Sequence, residues 1–190
     1  MLVRSIFILV ISLFTASPCV AESIDAPYGS SKFKSFDGIK NLEQLKAVFD
    51  FNFDNPEGVE RALIPISFFI KTVQEYGPVS FEPYDLIAVS HGSEVVAFAK
   101  QNYQQFKDIV DSASRLAELG VRFEVCSVAA EALGFGVDDF HGFVDVVPLG
   151  TYALAYHQQQ GYALLPGAAT VPSDLINPNN RPFLGKKHDK

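Results

Sequence analysis

Tyr84 to Val89 reads YDLIAV, an almost unbroken apolar run. A strand with one wet face alternates apolar and polar residues. A continuous run therefore belongs to a central strand of a parallel sheet, covered on both faces. That stretch needs helices on either side of it, and the rest of the chain supplies them.

Upstream, Lys46 to Phe53 (KAVFDFNF) alternates with period two, as a strand does. Asn55-Pro56 then offers a capping residue followed by proline at the first helical position. Val59, Ala62, Leu63, Ile66, Ile70 and Val73 recur at helical spacing, with Pro65 predicting a kink and Tyr76-Gly77-Pro78 a stop. After YDLIAV, Ser90-His91-Gly92-Ser93 makes a turn. Val95, Phe98, Ala99, Asn102 and Phe106 fall on one helical face, and the spacing resumes through Ile109, Val110, Ala113, Leu116 and Ala117 to Gly120.

Val121 to Cys126 predicts the next strand and Ser127 to Leu133 a short helix. Val144 to Val147 predicts another strand, and Thr151 to Gln160 a last helix stopped by Gly161. Tyr162 to Leu165 reads as an edge strand, limited by Pro166. Strands alternating with helices through short loops predict an α/β fold, an open, mostly parallel sheet flanked by helices in a flavodoxin-like three-layer arrangement.

The termini differ from this core. Residues 1–21 carry Arg4, an apolar run from Ile6 to Phe14 too short to span a bilayer, and small residues in Cys19-Val20-Ala21. This is the pattern of a secretory signal cleaved after Ala21. Lipidation at Cys19 is the rival reading, but Pro18 stands where a small, flexible residue is wanted. Residues 22–40 read as an extended arm, 41–166 as the α/β domain and 167–190 as a loose tail rich in proline and asparagine. The expected location is outside the cytoplasm, in the periplasm, with no membrane span left after cleavage.

Cleavage removes one charged residue, Arg4, so the formal net charge moves from −7 to −8. Such a surface repels phosphate backbones, and nucleic acid is not an expected partner. Cleavage also removes Cys19, leaving Cys126 alone and ruling out an intrachain disulfide. A lone thiol in an exported protein is reactive, bridged to another molecule, or simply buried as a small hydrophobe. The sequence leaves all three open.

In open parallel sheets ligands gather outside the carboxyl ends of the strands. Three strand ends carry candidates here: Ser90, His91 and Gly92; then Cys126 and Ser127; then Gly150, Thr151 and Tyr152. Cys126 falls at or beside a helix N-terminus, where partial positive charge favours thiolate over thiol. His91 is the candidate to assist it. Against this stand plainer roles. His91 could fasten a loop, Gly92 and Gly150 could supply positive φ, Thr151 could cap a helix, and Tyr152 and Tyr156 could pack.

No cofactor or metal site is expected. GFGVDDF (Gly134 to Phe140) follows a helix and lacks the third glycine of a dinucleotide fingerprint. Walker and GxSxG sequences are absent. His141, His157 and His188 lack ligand spacing. A cysteine hydrolase would need a positioned acid, and Asp85 and Glu94 are near only in sequence.

LIAVSHGSEVVAF, LAELGVRFEVCSVAAEALG and VDVVPLGTYALAYHQQQGYALLP together resemble the DsrE/DsrF-like family, over about Tyr84 to Pro166 and more weakly from Lys46. The resemblance implies a compact α/β sheet assembled as a homo-oligomer, a trimer or hexamer. It also implies sulfur relay in some members, carried as a persulfide on the cysteine that Cys126 matches, with a protein donor or acceptor of sulfur as partner. His91 matches the histidine of the strand-His-Gly turn. The alternative is a non-catalytic, homo-oligomeric binding protein of the same fold.

Overall fold

The computed structural model describes residue 31 and residues 44–76 and 84–167. The expected signal, most of the arm and the tail beyond Gly167 lie outside the described residues. Among these residues five strands form one sheet in the order β4-β3-β2-β1-β5: β1 (Leu45–Phe51), β2 (Tyr84–Ser90), β3 (Arg122–Cys126), β4 (Val144–Val147) and β5 (Ala163–Pro166). Every pairing is parallel. The α/β sheet expected from the sequence is what forms, with the YDLIAV strand at its centre.

Among the described residues four α-helices flank it: α1 (Glu57–Tyr76), α2 (Lys107–Glu118), α3 (Ser127–Ala132) and α4 (Gly150–Gln159). Strand alternation splits the core in two. Ala47, Phe49, Phe51, Leu86, Ala88, Phe123 and Val125 pack in one cluster with apolar residues of α1, α2 and α3. Val48, Ile87 and Val89 form a smaller cluster with Ala153 and Leu154 of α4 and with Tyr162. Among the described residues one face thus carries three helices and the other α4 alone. β5 lies at the sheet edge, where its terminal proline is tolerated.

Local signals explain most boundaries. The Asn55 side chain accepts from Gly58 N at 3.1 Å, capping α1 as expected. The helix runs on through Pro65. Gly120 (φ 93°) and Gly161 (φ 88°) end α2 and α4 in the left-handed region open to glycine.

The predicted helix from Val95 to Phe106 does not form as one unit. Two 3₁₀ turns, Ser93–Phe98 and Lys100–Asn102, replace it, broken at Ala99 in extended conformation (φ −76°, ψ 131°). Ala99 makes an isolated antiparallel bridge to Phe140, and the Asn102 amide donates to Val96 O at 2.9 Å. Tertiary bonding outweighs helical spacing in this segment.

Candidate functional site

The register sets β1, β2, β3 and β4 level at their carboxyl ends: Phe51 opposes Ser90, Ser90 opposes Val125, and Cys126 opposes Val147. Backbone bonds continue the zip beyond the strands, His91 N to Phe51 O at 3.0 Å and Ser93 N to Phe53 O at 2.9 Å. Asp50, His91, Cys126 and the turn into α4 are thereby gathered at one edge.

His91 Nε2 lies 2.8 Å from Asp50 Oδ1, with the side chains 12% and 37% exposed. Cys126 is only 3% exposed. It ends β3 and precedes α3, and its sulfur accepts from Ala129 N at 3.5 Å. A thiolate takes such a bond more strongly than a thiol. A β-carbon added at Gly150 would stand 2.9 Å from His91 Cγ and 3.3 Å from Cys126 Cβ. The missing side chain of Gly150 is what lets α4 start between imidazole and thiol. A cleft of about 240 Å³ opens there, lined by His91, Cys126, Ala129, Leu149, Gly150 and Thr151 among others.

Of the residues expected at the site, His91, Cys126, Gly150 and Thr151 line this one cleft. Ser90 is buried (1% exposed) and Gly92 lies in the turn, neither of them lining it. The Ser127 hydroxyl donates to Pro148 O at 3.0 Å, tying the start of α3 to the exit of β4. Tyr152 lines a separate cleft beside α4.

Several plainer roles need correction. Gly92 and Gly150 do not have positive φ, which among the described residues belongs to Gly120, Gly134 and Gly161. Both are close-approach glycines, since a β-carbon at Gly92 would meet Phe53 O at 2.7 Å. Thr151 is not the cap of α4, because Leu149 holds that position. Tyr152 and Tyr156 do not pack in the core but stand 66% and 51% exposed.

Three features escaped the sequence reading. Asp50 supplies the positioned acid that neither Asp85 nor Glu94 provides, through the pairing of β1 with β2. Its one signal is a carboxylate near the end of a period-two strand. Glu94 is fully buried and accepts from Phe53 N at 2.9 Å and Gly92 N at 3.0 Å, binding the two loops that carry the site. Burial pushes its carboxyl up, against these backbone donors. Glu124 and His157 form a buried pair at 2.9 Å.

At the amino end of the same sheet face, Arg122 donates to Asp85 at 2.8 Å and to the Tyr162 hydroxyl at 2.7 Å. Tyr162 in turn donates to Asp85, and Lys46 lies 5.4 Å from the tyrosine ring centre. Burial, then the bond to Asp85, pushes the Tyr162 phenol up to about 12. Burial acts to raise Asp85, but the bonds from Tyr162 and Arg122 outweigh it and hold the carboxyl low.

Among the described residues no three metal-ligating side chains come together, and no helix is long and apolar enough to cross a membrane. The fold and the edge cleft define an all-parallel α/β protein that presents cysteine, histidine and aspartate at its strand ends. The chain belongs to the DsrE/DsrF-like family, whose profile matches residues 46–166. No curated protein matches it. Among solved structures it is similar to the protein of unknown function MTH1491 from Methanobacterium thermoautotrophicum. The two are 25% identical with a TM-score of 0.49, and the match covers 64% of this chain and 98% of that one.

Proposed function

We propose that this protein is an exported, homo-oligomeric sulfur carrier in which Cys126 accepts sulfane sulfur, holds it as a persulfide and passes it to an acceptor thiol. The observation that carries the reading is one cleft shared by Cys126 and a histidine already bonded to a carboxylate, Asp50. The Cys126 thiolate attacks the outer sulfur of a donor persulfide or polysulfide. The new sulfur–sulfur bond forms as the donor's breaks, and the electron pair leaves on the donor sulfur. Asp50 fixes the imidazole, and His91 Nδ1 has no hydrogen-bond partner among the described residues. That nitrogen is free to exchange a proton with the thiol or the leaving sulfur. The acceptor belongs to a partner protein, and the trimer or hexamer implied by the family would shelter the thiol in an oxidising compartment.

Intact mass spectrometry of the mature protein tests this directly. Incubation with inorganic polysulfide should add one sulfur mass, removed by a reductant and absent in Cys126→Ser. A folded protein that gains no adduct overturns the reading.

One observation favours a second reading, a binding protein in which Cys126 is part of the wall: its 3% exposure. Under that reading a small thiol reagent leaves the native protein unlabelled and labels it only after unfolding.

A further inference from the structure

A second cleft, of about 180 Å³, lies between α4 and the β4 side of the sheet. Val147, Leu149, Tyr152 and Tyr156 line it, with Glu124 and His157 among its polar groups. Glu124 and His157 are 7% and 6% exposed. A carboxylate in the middle of a strand, beside Ile87 and Val89 on the same face, is costly to bury and needs its partner. His157 Nε2 lies 3.0 Å and 2.9 Å from the two carboxylate oxygens. A single N–H occupies only part of a carboxylate's accepting capacity, about four lone-pair sites.

The surroundings add negative charge. Asp145 stands opposite Glu124 in register on β4 and is exposed. Arg122, the cation on the same strand, is engaged with Asp85 and Tyr162. Tyrosine rings attract cations as well. A small, mostly apolar cleft with a carboxylate and two tyrosines matches a protonated amine on a short carbon chain.

This cleft also adjoins the thiol. Leu149 lines both clefts, and Glu124 and Cys126 are two residues apart on one strand, about 7 Å on the same face. A ligand with an amine at one end and a persulfide at the other spans that gap.

We propose that the α4 cleft is the amine subsite for the sulfur donor, so that Cys126 takes sulfur from a low-molecular-weight aminothiol persulfide. The proposal rests on the sulfur-carrier reading of Cys126. The step is Cys126–S⁻ + HS–S–R giving Cys126–S–SH + R–S⁻. One sulfur–sulfur bond forms, one breaks, and there is no net oxidation. The ammonium of R is held at Glu124.

The test compares loading rates of Cys126, by intact mass, from cysteine persulfide and from inorganic polysulfide, which carries no amine. Glu124→Gln keeps the bond to His157 but removes the charge. It should lower the ratio of the two rates about tenfold, the scale of one charge-assisted contact. Tyr152→Ala, at an exposed position that does not threaten folding, should lower the same ratio about threefold through the lost cation–ring contact. An unchanged ratio in both variants overturns the amine subsite while leaving the carrier intact. If Glu124→Gln does not fold, Tyr152→Ala decides alone. Wild-type protein that loads from neither donor overturns the carrier reading and the subsite with it.

Discussion

At the amino end of the α4-covered sheet face, Asp85, Arg122 and Tyr162 bond to one another under the Lys46 ammonium. At the carboxyl end, Asp50 and His91 bond to each other, and Cys126 makes no hydrogen bond to either. The residue types overlap, but the first network closes on itself while the second stops at a cleft. In the first, each member bonds to the other two, with Tyr162 buried and Arg122 partly in solvent, and such mutual bonding contributes to stability. In the second, an imidazole with one nitrogen engaged shares a cleft with the thiol. The amino end is a bonded network across β2, β3 and the start of β5, and the proposed chemistry belongs to the carboxyl end.

Substitutions at the two ends should therefore separate stability from chemistry. The largest effect is expected from Cys126→Ser, which removes sulfur loading altogether in intact-mass measurements while the protein stays folded. Next comes Gly150→Ala. Its new methyl group has no room against His91 and Cys126, so overpacking should cost about 2 kcal/mol in denaturant melts. It should also block small thiol reagents from the cleft. If Gly150→Ala neither destabilises nor blocks, the close approach of α4 to the site is wrong.

Asp50→Ala should act on rate rather than stability, because the carboxylate is 37% exposed. Loading of Cys126 should slow about tenfold, as expected when an imidazole loses the group that orients it. The thermal midpoint should barely move. An Asp50→Ala protein that loads at the wild-type rate would reduce the His91–Asp50 pair to a loop fastener and erase the contrast between the two ends.

How much of this was legible beforehand follows the range of the interactions. YDLIAV announced a central strand because an apolar run is a local signal, and Gly120 and Gly161 announced helix ends for the same reason. The strand-end rule brought His91, Cys126, Gly150 and Thr151 to one cleft. Asp50 was not legible, since it joins His91 only through the β1–β2 register, 41 residues apart in sequence. Gly92 and Gly150 were misread because a glycine that avoids a clash looks, in sequence, like one that turns a corner. The segment after His91 was misread because Ala99 bonds to Phe140, far along the chain. Tyr152 and Tyr156 looked like packing residues, but among the described residues nothing covers the outer side of α4, and both stand exposed.

The smallest effect, and the one that tests the amino end, belongs to Tyr162→Phe. It removes the hydroxyl that donates to Asp85 and accepts from Arg122. At neutral pH this should cost about 1 kcal/mol, the net worth of a hydrogen bond, with sulfur loading unchanged. The pH dependence is sharper evidence. The phenol is pushed from its ordinary 10.0 up to about 12, so the fold favours its protonated form. That contribution is fully present below pH 10 and is lost as pH rises from 10 to about 12. Asp85 behaves oppositely: its lowered carboxyl adds stability that is fully present above the ordinary carboxylate value and is lost as pH falls below that value through the lowered one. Stability measured against pH should therefore show the deficit of Tyr162→Phe largest near neutrality and shrinking above pH 10. A deficit that stays constant to pH 12 would mean the hydroxyl is not titrating within the network, and the amino end would lose its claim to be closed.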